Sequence, residues 1–399
     1  MESPKSARWA VGDIFEAQIE KVAHGGHFIA RHEGAVFFIR HGIPGEKCRV
    51  VITSIGSSFN RGDVVEVLTP SPDRVSPPCS YAHRDGCGGC DFQHISMARQ
   101  RQLKSDVITE QFARIAKMDL RIEVEEVSPA LHWRTRSIAT TNSVGRLGFY
   151  GARSHRVVAI DDCIIMAPDM KMPELAARTW KADVRIEIAL SSMKERNIAL
   201  ATKESKARLT EGNQTLHEEV MDKVLEVSQD SFWQSNASAA ATLTGAVLDY
   251  AELCSGDHVL DLYGGVGLFT AVMVDIVGID GAIDLIEGSK SATGDAARNF
   301  AKNPNVKIAT GDVAHHLPRI TSADVVVLDP PREGAGKTVV SEIVRLTPRR
   351  VVYVACDPAA LARDTGYFLE KGYTLSTIRA FDLFPMTHHI ECVALFLPA

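Results

Sequence analysis

The sequence predicts an α/β chain in three parts. A doubly wound, largely parallel sheet of seven strands fills the C-terminal half, a small β-barrel opens the chain, and an α+β insert lies between them. Three observations carry this. The runs HVLDLY, AIDLIEG, VKIATGD, DVVVLDPP and RVVYVACD alternate with helical stretches, the pattern of a parallel sheet with helices on both faces. Residues 9–69 hold short β-branched runs broken by Gly at close spacing, the pattern of a closed barrel of short strands. The chain has 399 residues, 45% of them hydrophobic, enough for two or three domains with cores of their own.

The elements follow in order. The barrel is expected within 1–70, where Pro70, Pro72, Pro77 and Pro78 end it. The central part, 71–220, opens with a Gly-rich loop from Cys79 to His94. Met97, Leu103, Val107, Ile108, Phe112 and Ile115 then fall at helical spacing. RIEVEEV and VRIEIAL read as strands of the insert. The last part, 221–399, begins with a helix at SNASAAATLTGAVLDYAELC and carries the seven-stranded sheet. Its last two runs, TLSTIRAFDLF and HIECVALFLP, leave no room for a helix between them and predict an antiparallel hairpin at one edge.

Charge and targeting narrow the function. The net charge is -6, which excludes binding to nucleic acid by overall positive charge and leaves a local basic patch open. No run of about 18 apolar residues appears, so no membrane span is expected. The start, MESPKSARWAVGD, has no apolar stretch of the signal-peptide kind. The expected setting is cytoplasmic and reducing, without a membrane partner, and the expected state is a monomer.

HVLDLYGGVGLFT places Gly264, Gly265 and Gly267 between a strand and a helix, where the backbone can turn tightly and approach a ligand. Such a turn alone is weak evidence. Glu287, about 20 residues on, ends the next strand, where a carboxylate can bind ribose hydroxyls. Asp261, Asp312 and Asp329 also fall at strand ends, where open α/β sheets bind ligands. Carboxylates there favour a ribose-bearing cation over a polyphosphate, so S-adenosylmethionine fits better than NAD; no GxxxxGK[ST] is present for ATP. Cys356 follows an apolar strand and precedes a helix, a position expected to lower a thiol pKa. Its alternative is a packed core cysteine. Glu391 stands among apolar residues as either a structural carboxylate or a base. A nucleophilic thiol adding at C6 of uracil, with a separate base to remove the C5 proton, would permit methylation at C5.

These residues carry a resemblance to the class I, S-adenosylmethionine-dependent RNA 5-methyluridine methyltransferases. It rests on SFWQSN, DLYGGVGLF, LDPPREG, VACDP and HHIECVALF, in that order over most of the chain. It implies a Rossmann-like seven-stranded methyltransferase domain, with Cys356 as nucleophile, Glu391 as base and Asp329 beside cofactor or substrate. Gln234, Tyr263, Gly265, Glu287 and Asp312 would hold the cofactor. Residues 9–69 resemble the TRAM domain, an RNA-binding barrel. Cys79, Cys87 and Cys90, with Cys163 as fourth ligand, resemble the family's iron–sulfur segment and imply a [4Fe-4S] cluster; zinc is the rival. Leu268, Trp233 and Ser235 depart from the family pattern. Cys48, Cys254 and Cys392 match no motif and read as packing residues.

The implied partner is RNA, with 23S rRNA favoured over tRNA. Residues 132–156 hold Arg134, Arg136, Arg146, Arg153 and Arg156 without an acid, interleaved with Trp133, Phe149 and Tyr150. That mixture suits phosphate contact and base stacking, and Lys21, Arg31, Arg40 and Arg61 could extend it. Two other readings stay open. One is a methyltransferase acting on amino groups through the DPP motif. The other is a non-catalytic iron–sulfur protein that binds RNA or senses redox state.

Overall fold

The structure, a computed structural model, describes residues 9–399. The first eight residues of the expected 1–70 barrel part lie outside the described residues. The chain forms two compact units. Residues up to Val107, with Phe149–Val158 and Pro385–His389, make one; Ile108–Gly148, Ala159–Phe384 and Ile390–Ala399 make the other. Among the described residues no helix is long and apolar enough to cross a membrane.

In the first unit the strands Ile14–Ala23, His27–His32, Ala35–Arg40, Asn60–Thr69 and Lys47–Ser54 follow one another around a closed barrel. Side chains of the first strand alternate inward and outward, as a barrel wall requires. Phe28, Phe37, Ile39 and Val50 are fully buried in its interior. The barrel is anchored to the segment after it by a buried ion pair. Glu46, 0% exposed, accepts from the Ser71 and Ile43 amides and from Arg74 Nε at 2.6 Å. Cys79–His94 forms turns and bends without a helix or an extended strand, as expected.

The second unit holds the insert sheet and the doubly wound sheet. The insert sheet is antiparallel and includes, in order, Ser205–Glu211, Arg196–Thr202, Arg185–Leu190 and Arg136–Thr141. The doubly wound sheet runs Val306–Thr310, Ala282–Glu287, His258–Leu262, Val325–Leu328, Arg350–Ala355, Glu391–Pro398, Tyr373–Asp382 and Val124–Glu126. The first five of these are mutually parallel. The expected terminal hairpin is present, with Phe381 opposite Glu391. Its last strand is not at the rim, however: it inserts antiparallel beside Arg350–Ala355, with Ala355 opposite Cys392. The sheet also gains an eighth strand. RIEVEEV, read as part of the insert, supplies Val124–Glu126, which pairs parallel with Ala380–Asp382 and covers an otherwise open edge.

Part of the predicted RNA track is structural. Trp133 is 1% exposed and packs edge-on against Phe384, centroids 5.7 Å apart. Arg136 is largely buried and lies 3.5 Å from Glu218. A buried arginine needs such a partner, so neither side chain is offered to a ligand. Cys254 is exposed rather than packed, while Cys48 and Cys392 are buried as expected.

Candidate active site

The carboxyl ends of the parallel strands gather the expected site residues. Asp261 ends the central strand and is 0% exposed. Its Oδ2 accepts from the Thr270 amide at 3.1 Å and the Thr270 hydroxyl at 2.6 Å, bracing the Gly-rich loop from below. Its Oδ1 is buried with no hydrogen-bond partner. Burial pushes Asp261 up to about 6 despite the Thr270 bonds, with the Glu287 charge adding.

The loop itself turns through three left-handed residues: Tyr263 at φ +60°, Gly265 at +58° and Gly267 at +96°. At Gly267 a Cβ would come within 2.2 Å of the Phe300 ring, so only glycine fits there. Gly265 donates to Glu287 Oε2 at 3.1 Å, and Ser289 donates to Oε1 at 2.6 Å. Both oxygens of Glu287 are thereby aimed, and each keeps a lone pair for a hydroxyl. Asp312 caps the short helix after its strand by accepting from the Ala314 amide at 2.7 Å. Burial pushes the Tyr263 phenol up to about 12, with the charge of Asp312 next, so Tyr263 is a neutral donor beside that carboxylate. Gln234 is 8% exposed, and its amide makes no hydrogen bond to the described residues. Its segment is held by Ser231 donating to Asp295 at 2.6 Å and by Thr135 donating to the Ser235 carbonyl at 2.8 Å. Buried acceptors and amides without partners, ringed by a glycine cradle, fit a ribose- and amine-bearing cofactor.

One strand further along, strand register brings the reacting groups together. Because Ala355 faces Cys392, Cys356 and Glu391 are neighbours on adjacent strands. Asp329 follows Val325–Leu328, the strand on the other side. Among the groups that shift the Cys356 thiol are Glu391, Asp329 and Arg332. Burial pushes this thiol up to about 12, and the Glu391 and Asp329 carboxylates push the same way against Arg332. This corrects the expected depression. The helix that should lower the thiol, Pro358–Leu369, is already capped by Asp357, whose carboxylate takes the Ala359 and Ala360 amides at 2.9 Å each. The helix field is spent on Asp357, and a further negative charge stands beside the sulfur.

Both carboxyls are likewise pushed up. Burial, then Asp261 and Glu287, pushes Asp329 up to about 7. Glu391, 7% exposed, is raised well above its ordinary value by burial and by Asp329, with Arg332 opposing. A carboxyl raised in the folded state contributes stability that is present below its unfolded pKa and lost as pH rises through the folded one. For Asp329 that window runs from about 4 to about 7. Asp329→Asn is therefore expected to melt about 2–4 °C higher than the parent at pH 8, with the gain vanishing near pH 4. The same substitution is expected to remove the rise of methyl transfer across pH 6–8. A melting difference that does not depend on pH would count against this placement.

Two residues of the site were missed from sequence. Arg332 sits inside LDPPREG, and its closeness to Asp329 in sequence was the available signal. Asp364, 0% exposed, accepts from the amides of Ala335 and Gly336 at 2.8 and 3.1 Å and from the Tyr353 hydroxyl at 2.8 Å. It fixes the loop that carries Arg332. A lone Asp at helical spacing from Leu361 and Phe368 was its trace in the sequence.

No metal group is shown at the expected cluster ligands Cys79, Cys87, Cys90 and Cys163. Among the described residues no group of three or more His, Cys, Asp or Glu is placed to hold a metal ion.

The chain is similar to known RNA methyltransferases. A tRNA (uracil-5-)-methyltransferase family model matches residues 317–398, which include Asp329, Cys356 and Glu391. A protein-L-isoaspartate(D-aspartate) O-methyltransferase model matches 197–327, and a TRAM domain model matches 8–65. A protein of Streptomyces avermitilis named as an uncharacterized RNA methyltransferase is 41% identical over 98% of this chain and 99% of its own length. A 23S rRNA (uracil(1939)-C(5))-methyltransferase of Shewanella sp. (strain MR-4) is 29% identical over 95% of this chain and 94% of its own. The crystal structure of the Pyrococcus abyssi tRNA (uracil-54, C5)-methyltransferase, in complex with S-adenosyl-L-homocysteine, superposes with a TM-score of 0.72. It covers 96% of this chain and 99% of that one at 20% identity, a likeness of fold.

Proposed function

The chain belongs to the TRAM-containing, S-adenosylmethionine-dependent RNA uracil-5-methyltransferases, and from that premise we propose that it methylates C5 of a uridine in 23S rRNA through a covalent Cys356–C6 adduct. The observation that carries the proposal is the strand register that seats Cys356 beside Glu391, with Asp329 on the neighbouring strand end. The rRNA preference leans on the full-length similarity to the 23S rRNA enzyme.

Bound S-adenosylmethionine supplies an electrophilic methyl on a sulfonium. Gln234, Tyr263, Gly265, Glu287, Asp312 and Asp329 are assigned to hold it. Asp329, near 7, is ionised in part of the molecules at neutral pH and takes the proton of the Cys356 thiol. The sulfur then bonds to C6 of uracil, and the C5–C6 π electrons move into the C4 carbonyl as an enolate. C5 attacks the methyl, and the electrons of the broken methyl–sulfur bond stay on the departing thioether. Burial holds Glu391 up most strongly; with Asp329 neutral and Arg332 opposing, that hold is weaker, and the acting form of Glu391 is the one that has given its proton to solvent. Glu391 next removes the C5 proton. The electrons re-form the C5–C6 double bond and expel the Cys356 thiolate. No step passes through Cys79, Cys87, Cys90 or Cys163.

The test is nucleoside mass spectrometry of RNA from cells lacking the gene, after incubation with the purified protein and labelled S-adenosylmethionine. The expected product is 5-methyluridine at one position in 23S rRNA. Label in an amino-methylated nucleoside, or in tRNA alone, would defeat the respective part of the proposal.

A further inference from the structure

The first unit contains a second candidate site, built from none of the residues just described. A cavity of about 480 Å³ opens between barrel strands, the Arg84–Gly86 turn and the Gly151–Arg156 segment. Arg40, Arg61, Arg84, Arg153 and Arg156 line it, against the carboxylates of Asp63 and Asp85 only. The compensation is weaker than that count suggests. Arg84 reaches Asp85 at 3.5 Å, and Arg156 donates to the Asp85 carbonyl. Burial pushes the Asp63 carboxyl up, with Arg40 opposing. Arg40, Arg61 and Arg153 make no ion pair or hydrogen bond to the described residues. Arg61 Nε is buried without a partner, and its guanidinium lies 4.8 Å over the Phe59 ring. Arg153 stands at φ +49°, a conformation costly for any residue but glycine. Concentrated like charge of this kind calls for an anion.

A neutral ring acceptor stands among these groups. His27 is 8% exposed, and its Nδ1 lies 2.7 Å from the Gly25 carbonyl. A carbonyl only accepts, so Nδ1 carries the hydrogen and Nε2 holds a lone pair. That Nε2 is buried without a partner, on a side chain that lines the cavity. Burial pushes the imidazole down to about 4, so it is neutral at physiological pH. Phe38 forms an apolar wall, with Phe59 edge-on at 4.8 Å. A ligand that satisfies the whole cavity offers an anion to the guanidiniums, a hydroxyl to Nε2 and a flat face to the wall.

We infer that this cavity binds one nucleotide of a single-stranded RNA segment, its phosphodiester on Arg40, Arg61 and Arg153 and its 2′-hydroxyl donating to His27 Nε2. The inference rests on the RNA-methyltransferase reading for the identity of the polymer, and on the cavity for the contacts.

Fluorescence anisotropy of the full chain tests it, with a labelled oligouridylate and its 2′-deoxy counterpart titrated between about 50 and 200 mM salt. Arg153 is exposed at the rim, so Arg153→Gln leaves the fold intact. It is expected to weaken oligouridylate binding at least about fivefold and to lower the salt slope by about 0.7, the loss of one single-strand phosphate contact. Arg185→Gln, an exposed arginine paired with Glu187 at 2.6 Å outside the cavity, should change neither. The parent should prefer the ribo strand to the deoxy strand, and His27→Phe should erase that preference. Unchanged affinity and slope in Arg153→Gln, or equal binding of both strands by the parent, overturns the inference. Methylation of RNA by the parent together with unchanged binding in Arg153→Gln would refute this site alone. RNA binding through the cavity without any uridine methylation would refute the catalytic reading alone.

Discussion

Cys356→Ala protein is expected to lose C5 methylation by at least about 10³-fold while keeping its fold and its affinity for S-adenosylmethionine. The magnitude follows from removing the group proposed to add to C6; without that bond, C5 of uracil is too poor a nucleophile to be alkylated. The resting thiol lies near 12, so at pH 8 only about one molecule in 10⁴ carries a free thiolate. Attack must therefore be coupled to proton hand-over, which is why Asp329 matters at a distance from the bond being made. Single-turnover transfer of labelled methyl to RNA measures the loss. Residual C5 methylation within tenfold of the parent would remove Cys356 from the mechanism, and calorimetry with the cofactor separates lost chemistry from lost binding.

Glu391→Gln should behave differently. The side chain keeps its shape but cannot take the C5 proton, so the reaction should halt after methyl transfer with sulfur still bonded to C6. Turnover is expected to fall by about 10²–10⁴. A protein–RNA species should build up that survives a denaturing gel and carries the transferred label. Burial already holds this carboxyl protonated, so a neutral amide costs the fold little. Full loss of turnover with no trapped species would assign Glu391 to an earlier step. The double variant Cys356→Ala with Glu391→Gln must show no trapped species at all.

Much of this site was legible in sequence because its residues sit at the ends of apolar strands. Once five runs read as parallel neighbours, Asp261, Glu287, Asp312, Asp329 and Cys356 had to share one sheet edge. Register was less legible. Nothing local in HHIECVALF says that its strand slips between two others, yet that slip places Glu391 beside the thiol. Electrostatic sign was the least legible. A strand-tip cysteine before a helix suggests a depressed pKa, but the outcome depends on Asp357 as cap and on the Asp329 and Glu391 carboxylates brought in from the two flanking strands. The arginines of 132–156 failed similarly. Composition does not say which side chains turn inward, and Arg136 found Glu218 while Arg153 reached the barrel cavity.

The inserted strand Glu391–Pro398 and the edge strand Val124–Glu126 have a consequence for how the molecule is made. Val124 pairs with Ala380, and Ala355 with Cys392. The sheet thus closes through contacts of very high sequence separation, which form late because the loop entropy must be overcome first. During synthesis the five parallel strands can assemble with their helices while one side of Arg350–Ala355 still lacks its partner. That unpaired edge is apolar, and it is the stretch most exposed to wrong association until the last strand enters. Glu391, the proposed base, arrives with the same strand that seals the edge, so on that proposal a half-folded chain is also a chemically silent one.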